Sequence, residues 1–132
     1  MEKENIFILS FLSFTQMKIV HNDRIVARNV MASRNLISNA VGLKFSRRLR
    51  KGEALILDVG EESKWKSAID MLFVFISIDC VWLDNNKKIV DFRKRVGPFT
   101  PLIIPRKAAR YVVELPSGCL GKINIGEHFR FS

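Results

Sequence analysis

Three carboxylates stand inside the most apolar stretches of the sequence. Asp70 and Asp79 interrupt AIDMLFVFISIDCVWL (residues 68–83), and Glu114 interrupts YVVEL (111–115). A carboxylate taken out of water without partners costs several kcal/mol, so each must reach solvent, backbone amides or a base. Two chemistries follow. The carboxylates can anchor turns, as strand-end carboxylates commonly do by accepting from loop amides, or pair with bases such as Arg47 or Arg110. Alternatively they line a polar pocket with perturbed pKa values, as acid–base or ligand-orienting groups. The expected ligand site comprises Asp70, Asp79 and Glu114, with Arg47 at its rim.

Other chemistry finds little footing. His21 and His128 are the only histidines and Cys80 and Cys119 the only cysteines, without HxxxH or CxxC spacing, so no metal site is expected. PSGCLGK (116–122) has two glycines and a lysine but not the spacing of a phosphate-binding Gly-Lys loop. A Cys119–His128 nucleophile–base pair would need an orienting third group, and a loop cysteine with an exposed strand histidine is the simpler reading. No catalytic residue and no cofactor is therefore expected, and a binding or accessory module is expected rather than an enzyme. Cys80 reads as a buried thiol, and two cysteines without a framework fit a reducing cytoplasm.

The charge is concentrated. The chain carries a net charge of +9, and residues 17–52 hold nine bases against Asp23 alone. A local positive field attracts phosphates, anionic lipid or acidic proteins. Arg34, Lys44, Arg47, Arg48, Arg50 and Lys51 form the candidate polyanion surface, the alternative being a solvated basic face. Phe45 is the one aromatic interleaved with these bases, so stacking on single strands has little support. The expected partner is a small polar ligand or a protein, with nucleic acid as the alternative.

The elements that must position these residues are mostly strands. With 132 residues, 48% hydrophobic and 27% charged, one globular domain is expected over residues 17–132. Residues 1–16 form an N-terminal extension containing IFILSFLSF, which lacks the flanks of a signal peptide. It reads as an added strand, a docking segment, or translated leader before a start at Met17, the last being preferred. The run 68–83 is too acidic for a membrane helix. Its Val, Ile, Phe and Trp suit two buried strands meeting near Ser77, so no membrane span is expected. A hairpin is expected around Asp23, and an amphipathic helix behind Ser33 with Leu36, Ala40 and Leu43 on one side. Further on, a strand is expected at 53–59 before a turn at Gly60–Ser63, and a turn at Asp84–Lys87 before KIVDFRKRV, an exposed edge. PRKAAR reads as one helical turn, RYVVEL as a strand, and INIG and EHFRF as closing strands. Eight or so strands with one or two short helices predict a mainly β, jelly-roll-like sandwich or barrel.

The order GLKF (42–45), ALILDV (54–59), SAIDMLFVFISIDCVWLD (67–84), KKIV (87–90), PRKAARYVVELPSG (105–118) and IGE (125–127) resembles the domain of unknown function 192 family. The likeness covers residues 17–131 and is strongest to an archaeal-type branch. Met71 and Asp79 keep the family's Met-to-Asp spacing, and Glu114, Pro116 and Gly118 match its ELPxG. The chain departs from the pattern at Asp70, where archaeal relatives have His, and at Ser77, where they have Pro. The family's GLM-x-R is here Gly42-Leu43-Lys44-Phe45-Ser46, with Arg47 one place along, and its final GD is Gly126-Glu127. The resemblance implies a small jelly-roll-like β domain and no known reaction or cofactor.

Overall fold

The structure is a computed structural model that describes residues 12–15, 17–33, 49–72 and 74–132. Nine strands are formed there: β1 (Leu12–Thr15), β2 (Ile19–His21), β3 (Arg24–Ala27), β4 (Asn29–Ser33), β5 (Glu53–Ser63), β6 (Ile78–Leu83), β7 (Ile89–Val96), β8 (Ala109–Pro116) and β9 (Arg130–Phe131). They make a six-stranded sheet in the order β1-β4-β5-β8-β6-β7 and a three-stranded sheet in the order β3-β2-β9. The two pack as a small sandwich, not a closed barrel. Among the described residues no helix is long and apolar enough to cross a membrane.

The centre of the large sheet is buried on both faces, and this explains the apolar runs in β5, β6 and β8. A strand covered on one side alternates, whereas one covered on both sides is apolar throughout. All six residues of β6 are buried. One face carries Leu55, Leu57, Ile78, Cys80, Trp82 and Val112, covered by Ile69, Met71, Val74 and Ile103 from the connecting segments. The other carries Ala54, Ile56, Val81, Leu83, Val113 and Leu115 and packs against Ile19, Ala27 and Phe129 of the small-sheet side.

The hairpin at Asp23 forms between β2 and β3. Asn22 (φ 48°) and Asp23 (φ 60°) take the paired left-handed conformation of a two-residue hairpin turn, which Asn and Asp tolerate better than other side chains. The expected strand RIVARNV is split. Its first half pairs with β2, and after a bend at Arg28 its second half crosses to the large sheet as β4. The amides of Arg28 and Asn29 both donate to the Gly52 carbonyl at this crossing. β4 and β5 run parallel, and residues 34–52 give the long connection such a pair requires. The helix expected behind Ser33 falls on residues 34–48 and lies outside the described residues. In the extension, Leu12–Thr15 pairs antiparallel with β4 as an added edge strand.

Other expectations are corrected. β5 does not end at Gly60 but runs to Ser63 through a register shift, with Gly60 at φ +88° supplying the irregularity. Of the two strands expected in 68–83 only β6 forms. Ile69 instead forms a single bridge with Ile103, and Ile69, Met71 and Val74 cover the apolar face of the sheet rather than extending it. PRKAAR is not helical: its last two residues already belong to β8. INIG is a turn, and only Arg130–Phe131 of the closing segment is a strand. The Asp84–Lys87 turn and the β6–β7 hairpin form as expected, with β7 at the edge of its sheet.

Candidate functional site

Asp79 sits at the second residue of β6, facing the small-sheet side, and is fully buried. Its Oδ1 accepts from the Arg95 amide at 2.9 Å. Its Oδ2 accepts from the amides of Gly118 at 3.0 Å and Leu120 at 2.9 Å. One carboxylate thus fixes the end of β7 and the loop after β8, which satisfies the burial requirement with backbone donors. Gly118 has φ +87°, a conformation other residues adopt only with strain.

Glu114 lies on the opposite face of the same sheet. Its cross-strand partners are Leu55 and Cys80, both in the other core cluster. It is buried, and its Oε2 has no hydrogen-bond partner among the described residues. Burial raises its pKa to about 8, so at neutral pH the side chain is a carboxylic acid. Burial, and the neighbouring Glu114, push the Cys80 thiol well above its usual range, which makes it unreactive.

The residues expected to form one ligand site are therefore not brought together. Asp79 and Glu114 point away from each other through the sheet. Asp70 is exposed and accepts the Leu72 amide at 3.1 Å. Arg47 lies outside the described residues, as do Arg34, Lys44 and Arg48. Arg110, the other base considered for pairing, is bound by Asp58 instead through a two-pronged contact at 3.0 and 3.2 Å. His128 bridges to Lys88 while Cys119 lies in the loop held by Asp79. Among the described residues no three His, Cys, Asp or Glu side chains converge as a metal set.

What Asp79 does position is the wall of a groove. Two adjoining cavities of about 170 and 340 Å³ run between β3 and residues 118–123, sharing Ile25, Val26 and Cys119. The smaller is flanked by Arg24 and Lys122, with His21 and Asn22 at its end. The larger is flanked by Arg28 and Lys51, which the shared Gly52 contact sets side by side. Among the described residues no carboxylate lines either cavity. Arg50 is exposed nearby in sequence but does not line them. Arg24, Arg28 and Lys51 were signalled by the charge surplus of residues 17–52. Lys122 and Cys119 had no such signal, because only the fold brings their loop against β3.

The end of the groove is braced by Glu127. It accepts from the His21 ring at 2.9 Å, the Asn22 side chain at 3.1 Å and the Asn124 amide at 2.8 Å. These donors, the Asn22 hydrogen bond foremost, lower its pKa to about 2. The usual value is 4.5, so this brace stabilises the fold above pH 4.5 and is lost as pH falls toward 2. Glu127→Gln is expected to flatten the melting-temperature decline over that window. Acid melting curves of the two proteins check it, and identical slopes would refute the brace.

The two packed sheets make a small, mainly β domain, as the sequence resemblance implied. The family model for DUF192, described as Uncharacterized ACR, matches residues 17–131, and the chain belongs to that family. A UPF0127 protein of Pyrococcus abyssi is 33% identical over 95 residues, covering 70% of this chain and 77% of that protein. A UPF0127 protein of Thermococcus kodakarensis is 32% identical over 74 residues, covering 56% of this chain and 46% of that protein. The chain thus spans about half the length of the Thermococcus relatives it matches. Among solved structures, a protein of unknown function from Novosphingobium aromaticivorans matches with TM-score 0.75 at 15% identity, covering 89% of this chain and 84% of that one. A Sinorhizobium meliloti protein matches with TM-score 0.73 at 16% identity, covering 87% of this chain and 91% of that one. These likenesses establish the fold and carry no activity.

Proposed function

We propose that the protein is a binding module that takes a small anionic ligand in the groove between β3 and residues 118–123. The carrying observation is the lining: Arg24, Arg28, Lys51 and Lys122, with no carboxylate among the described residues. None of the four is in an ion pair among the described residues. Like charges gathered in a concave surface focus a positive field and hold anions by charge-assisted hydrogen bonds. Ile25 and Val26 supply an apolar floor, so the fitting ligand has an apolar body and an anionic head. The free thiols Cys80 and Cys119 fit a reducing compartment such as the cytoplasm.

A thermal-shift screen of sugars, nucleotides, organic acids and short oligonucleotides at low and moderate salt tests this. A ligand bound only by the folded state raises the melting temperature by mass action. Arg28→Ala with Lys51→Ala is expected to weaken a stabilising anion by more than about 100-fold, at about 1.5–3 kcal/mol per lost charged hydrogen bond. Protection of Cys119 from alkylation by the same anion places it in the groove, since Cys80 is buried. Hits confined to uncharged compounds refute the reading. The competing reading is a diffuse polyanion surface, favoured by the exposure of Arg24, Arg28, Arg50 and Lys51. It predicts shifts with every polyanion that fall steeply with salt.

A further inference from the structure

Among the described residues seven large apolar side chains are exposed, and five of them fall in two segments of chain: Trp65, Leu72 and Phe75 in the first, Phe99 and Leu102 in the second. Phe75 is 68% exposed and Trp65 73%. The segments are stitched together on the sheet face away from the groove. Ile69 and Ile103 exchange amide-to-carbonyl bonds at 2.9 and 2.7 Å, Met71 donates to Thr100 at 2.8 Å, and Phe99 donates to Met71 at 2.9 Å. Phe99 holds φ +61°, a conformation that strains a bulky residue and persists only where surroundings impose it. It sets the Phe99 ring edge-on to Phe75 at 5.0 Å rather than burying it. Trp65 is held out in a similar way, because the buried Trp82 donates to the Ser67 carbonyl at 2.8 Å and fixes the turn on which Trp65 stands.

The surroundings are basic. Within residues 64–75 and 93–107, seven exposed bases stand against Asp70 alone. Lys64, Arg93, Lys94, Arg95 and Lys107 have no ion pair among the described residues. Arg93 lies opposite Cys80 on β6, so its side chain is on the same sheet face as the apolar segments.

We propose that this face docks peripherally on an anionic lipid surface, with Phe75, Phe99, Leu72, Leu102 and Trp65 entering the headgroup boundary and the flanking bases meeting lipid phosphates. The composition favours lipid over an acidic protein: exposed Trp and Phe side chains beside Lys and Arg are what settle at an anionic bilayer interface, the rings at the headgroup boundary and the bases against lipid phosphates.

The test uses the full chain with vesicles of phosphatidylcholine alone and of phosphatidylcholine with about one-third phosphatidylglycerol. Co-sedimentation with the anionic vesicles only, with a blue shift of Trp65 emission, is expected. The shift must vanish in Trp65→Phe, since Trp82 is buried in either state. Phe75→Ser with Leu102→Ser, both at exposed positions, is expected to weaken partition about tenfold or more. Arg28→Ala with Lys51→Ala should leave it unchanged, which separates this face from the groove. Absence of sedimentation and of the blue shift overturns the proposal and leaves an acidic protein as the occupant. Partition of the Phe75→Ser/Leu102→Ser protein equal to wild type also overturns it.

Discussion

Asp79→Ala is expected to lower unfolding free energy by about 3–5 kcal/mol, enough to unfold a marginal domain at physiological temperature. The side chain is fully buried and accepts from three backbone amides. Removing it leaves those donors without a partner, at about 1–3 kcal/mol each where they stay buried. Asp79→Asn keeps the volume and one acceptor oxygen but turns an N–H₂ group toward either the Arg95 amide or the Gly118–Leu120 pair. It should cost about half as much, and the order wild type, Asn, Ala in urea midpoints checks the argument. The loop that Asp79 holds is also the wall of the groove, so the Asn variant should lose anion-induced thermal shift while still folded. Equal stability of all three proteins would show that the anchor is dispensable.

Glu114 gives the opposite sign. Its carboxyl titrates at about 8 in the fold, against 4.5 when exposed to water. Between those values the folded protein retains a proton that the unfolded chain has lost. Stability therefore falls as pH rises from 4.5 toward 8, by about 5 kcal/mol over the whole window. Glu114→Gln keeps a neutral side chain of the same shape and removes that dependence. The variant is expected to match wild type near pH 4 and to exceed it by several kcal/mol at pH 8. Denaturant melts at the two pH values decide the matter, and parallel pH dependences would refute it.

The fold was largely legible where local chemistry and tertiary context agree. Asn22-Asp23 marks a hairpin turn whose left-handed backbone those side chains accept, and Asp84–Lys87 marks another. The sandwich followed from the strand count. The sequence misled where burial on both faces removed the period that separates strand from covering loop. Ile69, Met71 and Val74 come from a stretch of strand composition yet serve as a lid over Leu55 and Trp82. It also misled where a strand changes sheets, because nothing in RIVARNV shows that Arg28 turns the chain.

The candidate site was half legible. An acid inside an apolar run did signal a special role, and Asp79 has one. What a single sequence could not supply was the face. Asp79 and Glu114 belong to neighbouring strands with adjacent register, and a difference of one residue sends them to opposite sides of the sheet. The bases of the groove were visible as a charge surplus, but Lys122 joins Arg24 only through the fold.

The small sheet joins the start of the family domain to its last residues. Lys18 and Ser132 exchange backbone hydrogen bonds, and β2 lies between β3 and β9. This imposes an order on biosynthesis. β2 and β3 precede the central strands of the large sheet in the chain, yet their sheet gains its third strand only with Arg130 and Phe131, the last strand of the domain. Until then the inner face of β5, β6 and β8, with Ile56, Val81 and Leu115, has only part of its cover. The domain therefore keeps a sticky inner face until its ninth strand is in place.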